Sequence, residues 1–327
     1  MFDLTPQDDF VHATGPEESW RESYSFDFYD PSSRLSCFGL MGVSPNQQAG
    51  ECVFALWRDD TLLVKSGKWD YRVPREIGEE RQYFGPLSLR VLAPFKTLEI
   101  SYDDGYCRLE LAYDSIQPPY SWLQSNDEAA RPGSHHYQQQ GRFRGVARVG
   151  KDSIPVQGRG ARDHGWGPDA RANVRRWISA TAQFSENLAF QTLHVTLQDG
   201  KDLLFGYVFR GAQNDVVLRS RLSASYSLRQ GAPSGCNLDL TTKGGERLTA
   251  AARILNAFNT SFQHPNLVGF VFSCAAEFQI DGQAGFGRVN AFWRGTKDRP
   301  EEWLIEPLTV LPGKLAKLRG DFDDTVF

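Results

Sequence analysis

Residues 137–149 read YQQQGRFRGVARV, and this stretch decides the fold class. Every second position except Gln139 is apolar or small, including Tyr137, Phe143, Ala147 and Val149, whereas most positions between them carry Gln or Arg. Alternation with a period of two is typical of a strand that buries one face and exposes the other. The stretch therefore predicts a long strand in an antiparallel sheet.

Similar short runs, separated by turn residues, fill most of the remaining chain. Residues 95–102 and 106–113 flank the turn Asp103-Asp104-Gly105, and Asp-Gly supplies the positive φ that a β-hairpin needs. The 22 Phe, 11 Tyr and 8 Trp far outnumber the 2 Met, and aromatic residues favour strands. Residues 246–258 fit either a helix or a long strand. The 327-residue sequence therefore predicts an all-β protein, either two domains or one large unit.

Charge and apolar patterning exclude several kinds of partner. The net charge is −4 and no run of Lys or Arg stands out, so nucleic acid is not an expected partner. No apolar stretch of about eighteen residues occurs, and the N-terminus lacks a basic region followed by an apolar one. We therefore expect a cytoplasmic protein without stable membrane insertion. The five cysteines are widely spaced and are expected to be reduced and buried.

The sequence lacks motifs for metals and nucleotides. No CxxC pair occurs, and the adjacent His135 and His136 are expected in a solvated loop, so no metal is predicted. A Gly-x-Ser-x-Gly elbow, a phosphate-binding loop and a dinucleotide fingerprint are also missing, so no cofactor is predicted. An enzyme of this sequence is expected to work with its side chains alone.

Residues 158–167 read GRGARDHGWG and place an acid, an imidazole and an indole among four glycines. Glycine tolerates positive φ and lets other groups come close, so the pattern predicts a sharp bend that aims Asp163, His164 and Trp166 at a site. The alternative is a glycine-rich turn in which the Asp and His satisfy backbone groups and the Trp fills the core.

Two neighbouring segments bear on the domain organisation. Residues 168–173 predict a boundary between an N-terminal domain, residues 1–168, and a C-terminal domain, residues 169–327. Ligand pockets are common at such junctions. Residues 117–134 are rich in proline and charge and are expected to form a mobile surface loop. Long loops in compact folds often serve as lids, and the sequence leaves open whether this one does.

The 158–167 motif and the order of four other segments resemble an uncharacterised bacterial family, which is related to the lipocalin-like hydroxyneurosporene synthase group that includes the carotenoid 1,2-hydratases. The motif of that family is roughly Gly-x-Gly-x-x-Asp-His-x-Trp-Gly. This chain matches it at Gly158, Gly160, Asp163, His164, Trp166 and Gly167. The other similar segments are residues 20–23, 26–30, 42–46 and 285–287.

The resemblance implies two lipocalin-like antiparallel β-barrels packed side by side around an apolar cavity. It also implies that the motif's His and Trp, here His164 and Trp166, line the site. In the hydratases a Tyr and an Asp on a later strand help to protonate an alkene, whereas this chain has FQTLH at residues 190–194. The chain also has Asn290 where relatives are expected to carry an acid.

The motif residues suit proton transfer on an apolar substrate. Enclosure beside Trp166 is expected to raise the pKa of Asp163 and make it an acid, with Arg162 opposing that shift. His164 can accept and return a proton near neutral pH, and Trp166 offers a π face to a developing carbocation. His194 shares a strand face with Phe190 and is either a third catalytic residue or an ordinary core histidine.

These observations give one leading hypothesis and two alternatives. The predicted catalytic residues are Asp163, His164 and His194, and the predicted substrate-binding residues are Arg162, Trp166, Phe190, Gln191, Asn290 and Trp293. The leading hypothesis is a cofactor-independent hydratase, isomerase or cyclase acting on a hydrophobic isoprenoid- or polyketide-like molecule held between two barrels. The alternatives are a non-catalytic carrier of a lipophilic ligand and a protein-interaction scaffold with a filled core.

Overall fold

Antiparallel strands make up most of the computed structural model, which describes residues 4–73, 82–122, 134–226, 233–264 and 267–295. The strands of the N-terminal half are β1 Trp20–Asp30, β2 Leu35–Ser44, β3 Ala49–Arg58, β4 Thr61–Arg72, β5 Gln82–Phe84, β6 Leu87–Ala93, β7 Thr97–Asp103, β8 Cys107–Ser115, β9 Tyr120–Ser121, β10 His135–Val149 and β11 Asp152–Pro168. Those of the C-terminal half are β12 Val174–Gln183, β13 Leu188–Leu197, β14 Asp202–Arg210, β15 Gln213–Tyr226, β16 Pro233–Thr242, β17 Arg247–His264, β18 Leu267–Ile280 and β19 Gln283–Gly295. Short 3₁₀ helices lie at Pro6–Asp9, Pro45–Gln47 and Ala170–Asn173.

The first eleven strands form one curled sheet with the order β4-β3-β2-β1-β11-β10-β8-β7-β6-β5, in which β9 pairs with β10. The last strand of this half therefore returns to the middle. Its pairing with β1 runs from Trp20 opposite Pro168 to Tyr29 opposite Arg159. The motif at residues 158–167 thus lies at the centre of the sheet.

The concave face of this sheet is filled with aromatic side chains. Phe26, Phe28, Phe54, Tyr113 and Phe143 are each at most 1 % exposed. Burial of such side chains supplies the largest favourable free energy of folding. The inner face of the N-terminal half is therefore a packed core.

Strands β12–β19 form a closed barrel, because β19 pairs with β12. Closure leaves no unpaired edge strand. Side chains alternate between the two faces of each strand, and the inward ones form a cluster that includes Ala180, Phe190, Val208, Leu238 and Phe278. The outward side chains of β12, β13, β14 and β19 are consequently available to contact the sheet.

The all-β prediction is confirmed, with a closed barrel in the C-terminal half and a curled sheet in the N-terminal half. The ambiguous segment 246–258 lies within strand β17. The bend predicted for residues 158–167 is wrong, because this stretch belongs to the extended strand β11. β1 pairs with residues 159–168 and β10 with residues 152–166, and Gly160 lets β1 come close, because an added Cβ there would lie 1.9 Å from the Asp27 carbonyl oxygen.

Other predictions have mixed outcomes. His135 and His136 lie on β10, so their expected placement in a solvated loop is wrong. The five cysteines, all within the described residues, are buried and form no disulfide. Most of the expected loop at residues 117–134 lies outside the described residues, and the domain boundary at 168/169 stays a prediction. Among the helices of the described residues, none is long and apolar enough to cross a membrane.

Candidate functional site

Strand β11 presents different chemistry on its two faces. Arg162, His164 and Trp166 point to the concave core of the sheet, whereas Asp163 points to the opposite face, because successive side chains alternate. The motif requires glycine at position 160, because a Cβ atom there would lie 1.9 Å from the Asp27 carbonyl oxygen. A side chain at this position would push β1 and β11 apart.

A buried ion pair on the concave face holds the N-terminal segment. Arg162 donates from both terminal nitrogens to the Asp9 carboxylate, at 2.6 and 3.1 Å, and Tyr137 donates its hydroxyl to the same group. Asp9 is 0 % and Arg162 3 % exposed. Burial by itself would raise the pKa of Asp9, but Arg162 and Tyr137 outweigh it and lower that pKa. The pair is therefore ionised and mutually satisfied.

His164 belongs to a second buried cluster on the same face. Its Nε2 atom lies 2.8 Å from Glu22 Oε1, and Nδ1 of His12 lies 3.0 Å from the same oxygen. The His164 ring stacks on Tyr24 at 4.0 Å and the His12 ring stacks on Trp166 at 4.0 Å. Burial lowers the pKa of His164 although Glu22 opposes this, so the imidazole is neutral at pH 7.

The donor atoms of His12, Glu22 and His164 lie within 4.8 Å of one another, and two imidazoles with a carboxylate are a donor set that can hold a transition metal. Spacing in the sequence did not indicate this group, since its members come from three separated segments. In the present geometry both imidazoles hydrogen bond to Glu22. The cluster thereby ties the segment before β1 to the sheet.

The opposite face of β11 meets the barrel along a surface that we call the seam. The seam is formed on the sheet side by Ser25, Asp27, Gln138, Gln140 and Asp163, and on the barrel side by Thr181, Gln191, Tyr207, Arg288 and Asn290. Gln140 joins the two sides, because its Nε2 atom donates to the Thr181 hydroxyl and lies 3.5 Å from the Tyr207 hydroxyl. Arg288 joins them again by donating to the Cys37 carbonyl at 2.7 Å.

Asp163 keeps 27 % of its side chain accessible in the seam. Its Oδ2 atom lies 3.7 Å from His136 Nε2. Burial raises the pKa of Asp163, but the interactions with His136 and a hydrogen bond with Ser25 outweigh burial and lower it. The expectation that Asp163 is an acid with a raised pKa is therefore wrong, because a sequence does not show that His136 and Ser25 face it.

Asp27 is the seam carboxyl with the raised pKa. It is 13 % exposed, and burial raises its pKa to about 6, with Arg288 opposing and the Asp163 charge adding to the shift. Its Oδ2 atom lies 3.6 Å from Arg288 Nε. Arg288 is itself fixed by donating to Ser273 Oγ at 2.8 Å, and Ser273 donates to Asn290. Asp27 is thus a carboxylic acid with a pKa of about 6, and it lies near the ionised carboxylate of Asp163.

The predicted site residues fall into three places. Asp163, Gln191 and Asn290 lie in the seam, whereas Arg162, His164 and Trp166 lie on the concave face of the sheet. Phe190 and His194 lie inside the barrel, where His194 Nε2 is 2.8 Å from Ser220 Oγ, and Trp293 packs in an inward cluster. The structure does not bring Asp163 and His164 together, because they are consecutive residues of one strand.

Sequence reasoning missed four polar residues of these clusters. Asp27, Glu22, His12 and Asp9 all lie before residue 30, far along the chain from the motif. Two signals were available, since residues 20–23 and 26–30 are among the segments similar to the family. The alternation of Phe26, Asp27 and Phe28 places a lone acid on the face opposite two aromatic residues.

An open surface groove of about 520 Å³ lies elsewhere, over β7 and β8. Charged residues there include Glu99, Arg108 and Glu110, and Arg108 donates to Glu110 at 2.8 Å. None of the seam or motif residues lines this groove. We therefore place the candidate site in the seam, where carboxyls and unpaired polar atoms converge.

Comparisons with known proteins agree on the fold. A candidate AttH of Nitrosomonas europaea is 16 % identical, with a TM-score of 0.67 over 88 % of this chain and 96 % of its own. CghA is 14 % identical, with a TM-score of 0.60 over 84 % of this chain and 88 % of its own. Kievitone hydratase from Nectria haematococca is 10 % identical, with a TM-score of 0.55 over 85 % and 90 % of the two chains.

CghA has also been solved with Sch210972. No curated protein matches this sequence. The sequence itself matches one family model over residues 5–294, which is most of its length. The chain belongs to the family described as Domain of unknown function (DUF7064).

Proposed function

We propose that this protein is a cofactor-independent acid/base enzyme of the hydratase, isomerase or cyclase type, which acts in the seam on a largely apolar small molecule. The observation that carries the proposal is a pair of carboxyls whose environments separate their pKa values. Burial raises the pKa of Asp27 to about 6, whereas His136 and Ser25 outweigh burial at Asp163 and lower its pKa. Such a pair supplies an acid and a base in one site.

Each carboxyl has a role in a balanced reaction. In a hydration, Asp27 donates its proton to one carbon of an alkene and the oxygen of a water molecule bonds to the other carbon. The second proton of that water passes to the Asp163 carboxylate. Proton exchange with solvent then returns Asp27 to its acid form and Asp163 to its base form. In an isomerisation or cyclisation, Asp163 instead takes a proton from the substrate.

The names of two structurally similar proteins are consistent with this proposal. Kievitone hydratase is named as a hydratase, and CghA has been solved with a small molecule. We include in this proposal the resemblance of the 158–167 motif to that of the carotenoid 1,2-hydratases. In it, His164 and Trp166 are positioning residues, because they hold β11 from its concave face and Asp163 projects from the other face.

Deuterium incorporation tests the proposal without a known substrate. The purified protein is incubated in D₂O with a metabolite extract of the cells that produce it, and compounds that gain deuterium are detected by mass spectrometry. We expect labelling by the wild type and a loss on the order of 100-fold or more in Asp27→Asn and Asp163→Asn. Asp239→Asn, on the exposed face of β16, should label normally.

The result also distinguishes an enzyme from a carrier. A compound that co-purifies with the protein and never gains deuterium favours the non-catalytic carrier. Normal labelling by folded Asp27→Asn and Asp163→Asn variants would contradict the roles of both carboxyls.

A further inference from the structure

The seam carries several buried polar atoms that have no protein partner among the described residues. These atoms include Oε1 of Gln138, Oε1 of Gln191 and Nε of Arg288 in the seam, and Nε1 of Trp122 and Nδ1 of His136 beside it. A buried polar atom without a hydrogen bond costs about 1–3 kcal/mol, so proteins rarely leave several of them in one place. We infer that the seam binds an uncharged, mostly apolar molecule that carries a hydroxyl group, and that Gln138 and Gln191 select it.

Strand register places the two glutamines in the same part of the seam. Gln138 lies two residues before Gln140 on β10, on the same face. Gln140 contacts Thr181 and Tyr207, and these two residues are the pairing partners of Gln191 on either side of β13. Gln191 is therefore directly across the seam from the Gln138 and Gln140 segment.

The unpaired groups favour a hydroxyl over other polar groups. The two amide oxygens and the Asp163 carboxylate are acceptors, and a hydroxyl can donate to them. The Trp122 indole nitrogen is a donor, and the oxygen of the same hydroxyl can accept from it. A hydrocarbon would leave these atoms unpaired.

The charges disfavour an anionic ligand. Asp163 is ionised at neutral pH, since its pKa is lowered, and would repel a carboxylate. Arg288, the buried cation of the seam, already interacts with Asp27, Ser273 and the Cys37 carbonyl. The Nε atom of Arg288 makes no hydrogen bond among the described residues, but it lies 3.6 Å from Asp27 Oδ2, so an acid group there would compete with Asp27.

The rest of the surface suits an apolar body. Leu193, Val195, Leu203 and Phe205 form an outward cluster on the barrel, against which Trp122 packs. Trp122 stacks on His136 at 3.6 Å and on Phe205 at 5.1 Å. The cluster lies next to Gln191 along β13, so the polar and apolar parts of one ligand can be bound together.

Three probes of one carbon skeleton test this inference, which rests on the proposed site. Farnesene, farnesol and farnesoic acid are measured by displacement of the fluorophore 1-aminoanthracene from the full-length protein. We expect farnesol to bind about tenfold more tightly than the hydrocarbon, which corresponds to one hydrogen bond that would otherwise be lost. We expect the acid to bind more weakly than farnesol, with the gap widening as salt is lowered.

Replacement of the glutamines should reverse the preference. Gln138→Leu and Gln191→Leu are expected to bind farnesol more weakly and farnesene more tightly than the wild type does. Misfolding cannot produce this gain in farnesene affinity. Gln279→Leu, on the exposed face of β18, should keep the wild-type order. Equal binding of farnesene and farnesol, tightest binding of the acid, or no binding of farnesol would overturn the inference. A further outcome is that Asp27→Asn loses deuterium labelling while the wild-type protein shows no preference for farnesol over farnesene. This result would support the proposed function and contradict only the inference about the hydroxyl group.

Discussion

The proposed chemistry depends on two acids that differ only in their surroundings. Asp27 and Asp163 lie on neighbouring strands and face the same seam. His136 and Ser25 stabilise the charge of Asp163, whereas burial disfavours the charge of Asp27 more than Arg288 favours it. The sequence indicated Asp163 through its motif, but it could not show these partners, which come from other strands.

The raised pKa of Asp27 predicts how the rate of the reaction depends on pH. Its pKa is raised to about 6, so the proton donor should be lost, and the rate of deuterium labelling should fall, as the pH rises through about 6. The carboxyl resonance of Asp27, followed by ¹³C NMR and assigned with Asp27→Asn, should titrate near pH 6.

The same shift predicts the direction of a stability change. An aspartate of the unfolded chain loses its proton near pH 4, before folded Asp27 does. The wild type should therefore lose stability relative to Asp27→Asn as the pH rises from about 4 to about 6. A midpoint for Asp27 near pH 4, or a rate that rises through pH 6, would contradict the assignment of the acid.

Strand β11 shows what alternation and glycine do for an element. The pattern in residues 137–149 predicted a strand, and β10 contains that whole stretch. The glycine-rich motif was harder to interpret, because glycine can serve a turn or a close approach between strands. Pairing with two neighbours decides between these uses, and a single sequence does not contain that information.

Gly160 provides a test at the scale of this element. Gly160→Ala would place Cβ 1.9 Å from the Asp27 carbonyl oxygen, so β1 and β11 must separate. We expect a loss of about 1–3 kcal/mol or more in the free energy of unfolding, measured by urea denaturation. Gly67→Ala on β4 is the control, because no atom lies within 4 Å of its added Cβ, and it should be neutral or slightly stabilising. Equal stability of the two variants would contradict the close approach.

At the scale of the whole molecule, the site depends on how the sheet and the barrel meet. The all-β class followed from alternation and composition, and the two lipocalin-like halves followed from the family resemblance. The C-terminal half closes into a barrel and the N-terminal half is a curled sheet. The seam did not follow from either, because Asp27, Gln138, Gln191 and Arg288 are far apart in the chain and become neighbours only when both halves pack. Long-range contacts such as Arg288 with the Cys37 carbonyl fix this arrangement.

The position at which a ligand binds tests the proposed site most directly. A farnesol analogue with a diazirine in its chain is cross-linked to the wild-type protein, and the modified residues are located by mass spectrometry. We expect labels on side chains of β10, β13 and β14 that lie in or beside the seam, such as Gln138, Leu193 and Phe205. Labels confined to the barrel interior around Phe190 and His194, or to the concave face around His164, would contradict it.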